Sequence, residues 1–445
     1  MECGSCETAI RRAIGHGAWQ PVVKQWNLRA ITLCAVVVAC SHTTYAQSDT
    51  GVNAVPAAEA AAADTAIRST PAGAEAPAQA SPPERPSFRQ RMQGWVRDVQ
   101  LLERINATVD GWYPRIGGIT RGSSFSGGGG YRTPLFNDAL YADVSAALSV
   151  KGYSALDAKL RVWQGFSKRV DLLTEFRTED FPEETYFGVG MNTSGTARTS
   201  YDFDSIAVRT RLLIRPNRWA RITTLVGYMR SDVGHADSSY PSTEERFTDA
   251  EAPGLLEQAD YLQTTFAGEI DYRDTGGNTS KGGYYRASFN IWNDATFNAY
   301  DFRRTDMQVA QFVPVTPGGA HVVSGRVGAV AVSADDGSRI PFYYLAYAGG
   351  MDTIRSLREF RFRDRNALWL SGEYKWRLKP RLSVSAFADV GQVSPDWHSL
   401  RTSDMDGGYG ASVSVYTRTQ TLLRLDVGTG AGEGWQVFIK LRPMF

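Results

Sequence analysis

The chain has 445 residues and a net charge of +1, with 42% hydrophobic and 11% aromatic residues. No basic patch or stripe marks a nucleic-acid partner, and the length admits one large β-structure as readily as two or three domains. Forty-three glycines and abundant aromatics suit strands and turns better than helices.

Residues 1–46 read as a leader. In KQWNLRAITLCAVVVACSHTTYA, Lys24 and Arg29 precede an apolar run over 30–40, and a polar stretch closes on Thr44-Tyr45-Ala46. This is the three-part layout of a secretory signal with cleavage after Ala46. Val37-Val38-Ala39-Cys40 offers a second reading, a lipoprotein cleavage box that would lipidate Cys40. Cys3, Cys6, Cys34 and Cys40 are the chain's four cysteines. Cys3 and Cys6 lack a partner pair, which argues against a zinc or redox site, and a cysteine-free body suits an exported protein.

Residues 47–86, rich in Ala, Pro, Ser and Thr, read as a disordered linker without apolar periodicity. Over 87–105 the spacing predicts a short N-terminal amphipathic helix. Ser87 caps it, and Phe88, Met92, Trp95, Val96, Val99 and Leu102 share one face. It would pack on the body of the protein C-terminal to it, plug a pore or lie at a membrane surface.

From about residue 117 the period becomes two. In SIAVRTRLLIRP, Ile206, Val208, Leu212 and Ile214 alternate with Ala207, Arg209, Arg211 and Arg215. In YYRASFNIW, Tyr285, Ala287, Phe289 and Ile291 alternate with Arg286, Ser288 and Asn290. About fifteen or sixteen such segments recur between Gly, Asp, Asn and Pro clusters. Strands of ten or more residues with one charged face predict an all-β, transmembrane antiparallel β-barrel of sixteen strands over 106–445. Only helices and closed barrels satisfy the backbone in lipid, and no apolar run here is long enough for a spanning helix.

The C-terminal segment WQVFIKLRPMF places Trp435, Val437, Ile439, Leu441 and Phe445 on one face. A terminal strand ending on an aromatic is similar to the sorting signal of bacterial outer-membrane barrels.

Between HVVSGRVGAVAVSA (321–334) and NALWLSGEYKWRL (366–378) lies the glycine-led, charged stretch PFYYLAYAGGMDTIRSLREF. This stretch, with SGEYKW, FADVG (Phe387, Asp389, Gly391), TYFGVG and LLRLDVGTGAGEGWQVFIKLRPMF, resembles the Omp85 superfamily. That bacterial surface antigen family includes the barrel-assembly and translocation-and-assembly proteins. The resemblance covers essentially residues 110–445. It implies a long loop that carries an Arg-Gly-Phe or Arg-Gly-Tyr motif and folds back into the lumen. We align that motif with Arg358, Glu359 and Phe360, so that Glu359 replaces the glycine and would strain a position needing positive φ.

Strand parity sends Leu368, Leu370, Gly372, Tyr374 and Trp376 outward, and therefore Glu373 and Asp389 inward. Two carboxylates in a confined lumen call for a cation, and Arg358 is expected within hydrogen-bond reach of Asp389, Glu373 or both.

The resemblance further implies assembly, insertion or translocation of outer-membrane components through a weak seam between the first and last strands. The family's soluble repeat domains are expected to be missing, with a signal, a linker and one short helix in the space before the barrel. Gly127, Gly128, Gly129 and Gly130 are expected in the first strand, weakening its pairing. Expected partners are outer-membrane lipid, outer-membrane client proteins and periplasmic partners, at the outer membrane of a Gram-negative bacterium. The alternative is a passive pore or surface-exposed structural protein.

No cofactor or metal is expected. His235, His321 and His398 stand apart without metal-ligand spacing, and no G-x-S-x-G is present; GSSFSGGGG reads as a glycine-rich strand, so the chain is expected not to be an enzyme.

Overall fold

The computed structural model describes residues 110–136, 139–162, 169–416 and 421–440. The leader, the linker and the expected helix over 87–105 lie outside them, as do Leu441 and Phe445. Among the described residues no helix is long and apolar enough to cross a membrane.

Sixteen antiparallel strands form one sheet in which each pairs with its neighbour along the chain. They begin with β1 (Gly111–Gly117), β2 (Ser126–Leu135), β3 (Leu140–Ser149) and β4 (Ser154–Val162). The longest are β5 (Val170–Tyr186), β6 (Thr199–Ile214) and β7 (Ala220–Gly234). Next come β8 (Asp260–Asp271), β9 (Gly282–Asp294), β10 (Phe302–Pro314) and β11 (His321–Ala334). A small hairpin, β12 (Ala346–Ala348) and β13 (Phe362–Asp364), interrupts the series. The sheet resumes with β14 (Asn366–Lys379), β15 (Leu382–Ser394), β16 (Asp406–Tyr416), β17 (Thr421–Gly430) and β18 (Trp435–Lys440). The sheet curls into a nearly closed barrel. Its order ends on β1 and β18, and no ladder joins those two among the described residues.

The alternation read from the sequence has a physical counterpart in exposure. On β14, Leu370, Tyr374 and Trp376 face outward while Trp369, Ser371 and Lys375 are buried within. On β18, Trp435, Val437 and Ile439 are 71%, 60% and 62% exposed, which fixes them as the outer, lipid-facing side. An apolar belt outside and a polar lumen are what a spanning barrel requires.

The longest connections, over 187–198, 235–259 and 335–365, all fall at one end of the barrel. At the loop end the lumen is filled by aromatic packing. Trp292 stacks on Phe302 with ring centroids 5.5 Å apart, and Tyr344 lies 4.9 Å from Trp292. Phe342 inserts between Tyr186 and Tyr201 at 4.8 and 4.9 Å. Burying each such ring contributes roughly 1.5–3 kcal/mol, so the 335–365 loop is anchored by apolar burial before its polar tip is considered.

The glycine run is placed differently from the expectation. Gly127, Gly128, Gly129 and Gly130 lie in β2, opposite Ile116, Arg115, Pro114 and Tyr113 of β1. Pro114 argues against a central strand over 111–117, but a proline is tolerated on an edge strand. The glycines clear a path. The Tyr113 ring lies over Gly130, where a Cβ would collide with it, and its hydroxyl donates to Asp143 Oδ1 on β3 at 2.7 Å. Arg115 passes over the same strand to pair with Asp157 on β4. So β1 is tied to β3 and β4 across a strand that has no side chains there.

Candidate functional site

The loop over 335–365 enters the lumen from between β11 and β14. Its tip is shaped by Gly349 and Gly350, both at positive φ (116° and 100°). A side chain at Gly350 would collide with the Glu359 carboxylate. The Gly350 amide donates to the carbonyls of Ile354 and Leu357 at 3.0 and 3.1 Å, closing a compact turn. Ile354 and Leu357 are fully buried, which aims the residue next to Ile354 into the barrel wall.

That residue is Arg355. Its Nε and Nη2 donate to the two Asp389 oxygens at 2.8 Å each, and its backbone amide adds a third bond to Oδ2 at 2.9 Å. Nη1 donates to Glu373 Oε2 and Nη2 to Ser371 Oγ, both at 2.9 Å. The guanidinium plane lies 3.6 Å from the Phe387 ring centroid. From β17, Arg424 donates to Glu373 Oε2 at 2.7 Å and to Asp426 Oδ1 at 2.9 Å. Two guanidinium groups thus face three carboxylates inside the wall. Removing one member of such a network strands the others, at a cost of about 3–5 kcal/mol.

The expected lock therefore belongs to Arg355, not Arg358. Arg358 points to the loop end, where it donates to the Gly195 carbonyl at 3.0 Å and pairs with Glu433 at 3.0 Å. Glu359 accepts from the Met351 amide at 3.0 Å, and Phe360 packs edge-on against Tyr347 at 4.9 Å. The positive φ falls on Phe360 (56°), so Glu359 carries no backbone strain. Burial pushes the Glu359 carboxyl up to about 7 against the pull of the Met351 amide and of Arg121.

The physical reason for the shift along the loop lies in the space available. The residue after the inserted arginine must be small, because Ser356 is fully buried and a Cβ on Gly408 would come within 2.6 Å of it. Gly428 likewise leaves room for the Arg355 carbonyl, and Gly410 for the Phe387 ring. A glycine groove on β16 and β17 receives the tip. The motif sought at Arg358-Glu359-Phe360 therefore sits at Arg355-Ser356-Leu357, with serine in the glycine's place.

The other expected residues are found at their parity positions. Glu373, Phe387 and Asp389 face the tip, and Gly391 leaves space for Trp369 on β14. Arg355, Ser371, Ser412, Arg424 and Asp426 were not singled out from the sequence. Their signals were the apolar flanks of Arg355 and the parity of Arg424 and Asp426 in LLRLDVG.

Near the seam, Asp352 joins three elements. Arg121, in the β1–β2 connection, donates to its Oδ2 at 2.8 Å, and Lys440 on β18 donates to its Oδ1 at 2.8 Å. Burial would raise this carboxyl, but Lys440 and Arg121 together hold it well below the usual range.

An apolar outer belt, a charged lumen and an infolded loop locked to the wall define a membrane-spanning β-barrel of the loop-plugged kind. The chain belongs to the Omp85 superfamily: the family's domain profile matches residues 126–436. Among solved structures it is similar to BamA from Haemophilus ducreyi lacking POTRA domains 1-3, at 14% identity and TM-score 0.57. That match covers 74% of this chain and 69% of the other. It is also similar to CdiB from Acinetobacter baumannii (11% identity, TM-score 0.46) and CdiB from Escherichia coli (14%, 0.47). Those matches cover 74% of this chain and 58% and 61% of theirs. No curated protein sequence matches the chain.

Proposed function

We propose that the chain works at the outer membrane of a Gram-negative bacterium, inserting or translocating outer-membrane components through the seam between β1 and β18. The observation that carries this reading is the interrupted ladder: sixteen strands pair in sequence, and none pairs across the ends among the described residues. An unpaired strand edge is a template for an incoming strand, and pairing to it exchanges water for main-chain hydrogen bonds. On this reading the partners are outer-membrane lipid, client proteins and periplasmic partners, and the chain acts without catalysis.

The test uses the full chain in liposomes with an unfolded barrel protein as client. Insertion should be faster than in empty liposomes, and a disulfide between cysteines placed on β1 and β18 should remove the gain. A passive pore would conduct ions equally with the seam free or cross-linked and would leave insertion unaccelerated. That result would end the seam reading. Turnover of phospholipid micelles by the purified chain would overturn the non-catalytic part.

A further inference from the structure

The lumen contains a cavity of about 520 Å³ bordered by the infolded loop and by strands on either side of it. Its lining is strongly basic. Arg121, Arg286, Arg304, Arg326 and Lys440 contribute to it, against only two carboxylates, Asp306 and Asp352. Asp306 is engaged by Arg304, whose Nε donates to Oδ1 at 2.9 Å. Asp352 is the acceptor shared by Arg121 and Lys440. Ser288 and Asn290 add hydroxyl and amide groups to the wall. A confined space with an excess of cations and low-dielectric walls concentrates anions. Arginine forks and a lysine point charge match the oxygens of a phosphate group.

We propose that this cavity binds an anion of the phosphate class, and that the bound anion competes with Asp352 for Arg121 and Lys440. Arg121 follows β1 and Lys440 lies on β18, so Asp352 ties both ends of the sheet to the infolded loop. Displacing it frees both at once. The anion site stands on the cavity alone, whereas its effect on opening rests on the seam reading above. Two sources share this chemistry, a free phosphate in the lumen and the phosphomonoester of a lipid headgroup reached from the seam.

The experiment is calorimetric titration of the full chain in an uncharged detergent, with sodium pyrophosphate in one arm and phosphatidic acid in mixed micelles in the other. Saturable binding is expected in at least one arm, and the arm that binds identifies the source. Arg286→Gln should weaken it roughly tenfold, the size of one lost charge contact at about 1.4 kcal/mol. Asp352→Asn should tighten it several-fold, because it removes the competing carboxylate. Lys440→Gln provides a second weakening variant should Arg286→Gln not yield a heat-modifiable band. In parallel, the anion should raise the reactivity of a cysteine placed on β18 in the native chain but add nothing in Asp352→Asn.

No saturable binding in either arm would overturn the proposal, as would Asp352→Asn binding equally or more weakly than the native chain. None of these readouts uses client insertion. A chain that binds pyrophosphate yet fails to insert clients loses only the seam function. One that inserts clients without binding either probe loses only the anion site.

Discussion

The wall made by β5, β6 and β7 and the wall beside the seam are held together on different terms. The first has strands of 17, 16 and 15 residues, well beyond the roughly 9–11 that a tilted spanning strand needs. Its loop end is packed by Tyr186, Tyr201, Val233 and Phe342, so ladder and apolar burial act together. The strands nearest the seam are shorter, 7 and 10 residues at β1 and β2, and 10 and 6 described residues at β17 and β18. Their inner face carries glycine and charge in place of apolar bulk. Where the ladder is continuous, burial holds the wall. Where it stops, ion pairs from one loop hold it, and ion pairs can be exchanged.

The strongest way to break this comparison is to damage each side separately. Arg355→Ala should cost about 3–5 kcal/mol because it strands buried carboxylates, and should lower the temperature of heat modification far more than Arg358→Ala. Arg358 is an outlying, partly exposed pair worth about 1 kcal/mol or less. Equal shifts for the two variants would refute the assignment of the lock. Phe342→Ala should also cost about 3–5 kcal/mol, through a cavity in the tall wall, but should leave cysteine reactivity on β18 unchanged. A rise in that reactivity would mean the two walls are not independent.

A second effect comes from Glu359, which faces Arg121, Asp352 and Lys440. Its folded carboxyl is raised to about 7, above its value in the unfolded chain. The folded state therefore holds the proton between the two values. Stability should fall as pH rises through that window, by at most about 1.4 kcal/mol per pH unit, and level off above about 7. Glu359→Gln should flatten the profile of heat-modification temperature between pH 5 and 7; an unchanged slope would assign it to another group.

Steric variants sharpen the contrast further. Gly410→Ala presses a Cβ onto the Phe387 ring, at 2.5 Å, and should cost about 1–3 kcal/mol. Gly372→Ala on β14, with nothing within 4 Å, should be nearly silent in the same melting assay. Asp352→Asn should also be modest, worth about 1 kcal/mol or less in melting because the carboxylate is partly exposed. Its signature should be local, a higher cysteine reactivity on β18 only.

The barrel was legible because a lipid-facing strand must alternate. The bounds read for the flanks of the loop, 321–334 and 366–378, are those of β11 and all but the last residue of β14. Strand parity also placed Glu373 and Asp389 inward. It could not choose between Arg355 and Arg358, because a loop has no period. That choice depends on Gly408 and Gly428, over fifty residues downstream, which admit serine beside the arginine but not glutamate. The first strand was missed for a related reason: Pro114 argues against a strand unless the segment is known to lie at an edge.

The Arg355 lock has a further consequence for the order of folding. Its bonds to Ser371, Glu373 and Asp389 span 16, 18 and 34 residues, short separations whose closure costs little chain entropy. The contact between Arg363 and Tyr201 spans 162, and that between Arg121 and Asp352 spans 231. Contacts close in sequence form sooner, so the loop tip should seat in β14 and β15 while the N-terminal strands are still unpaired. Pulse proteolysis during refolding into detergent would show it, with the 349–360 segment protected before the β1–β2 connection. The last tie to form is then the one at Asp352, which waits for residues from both ends of the chain.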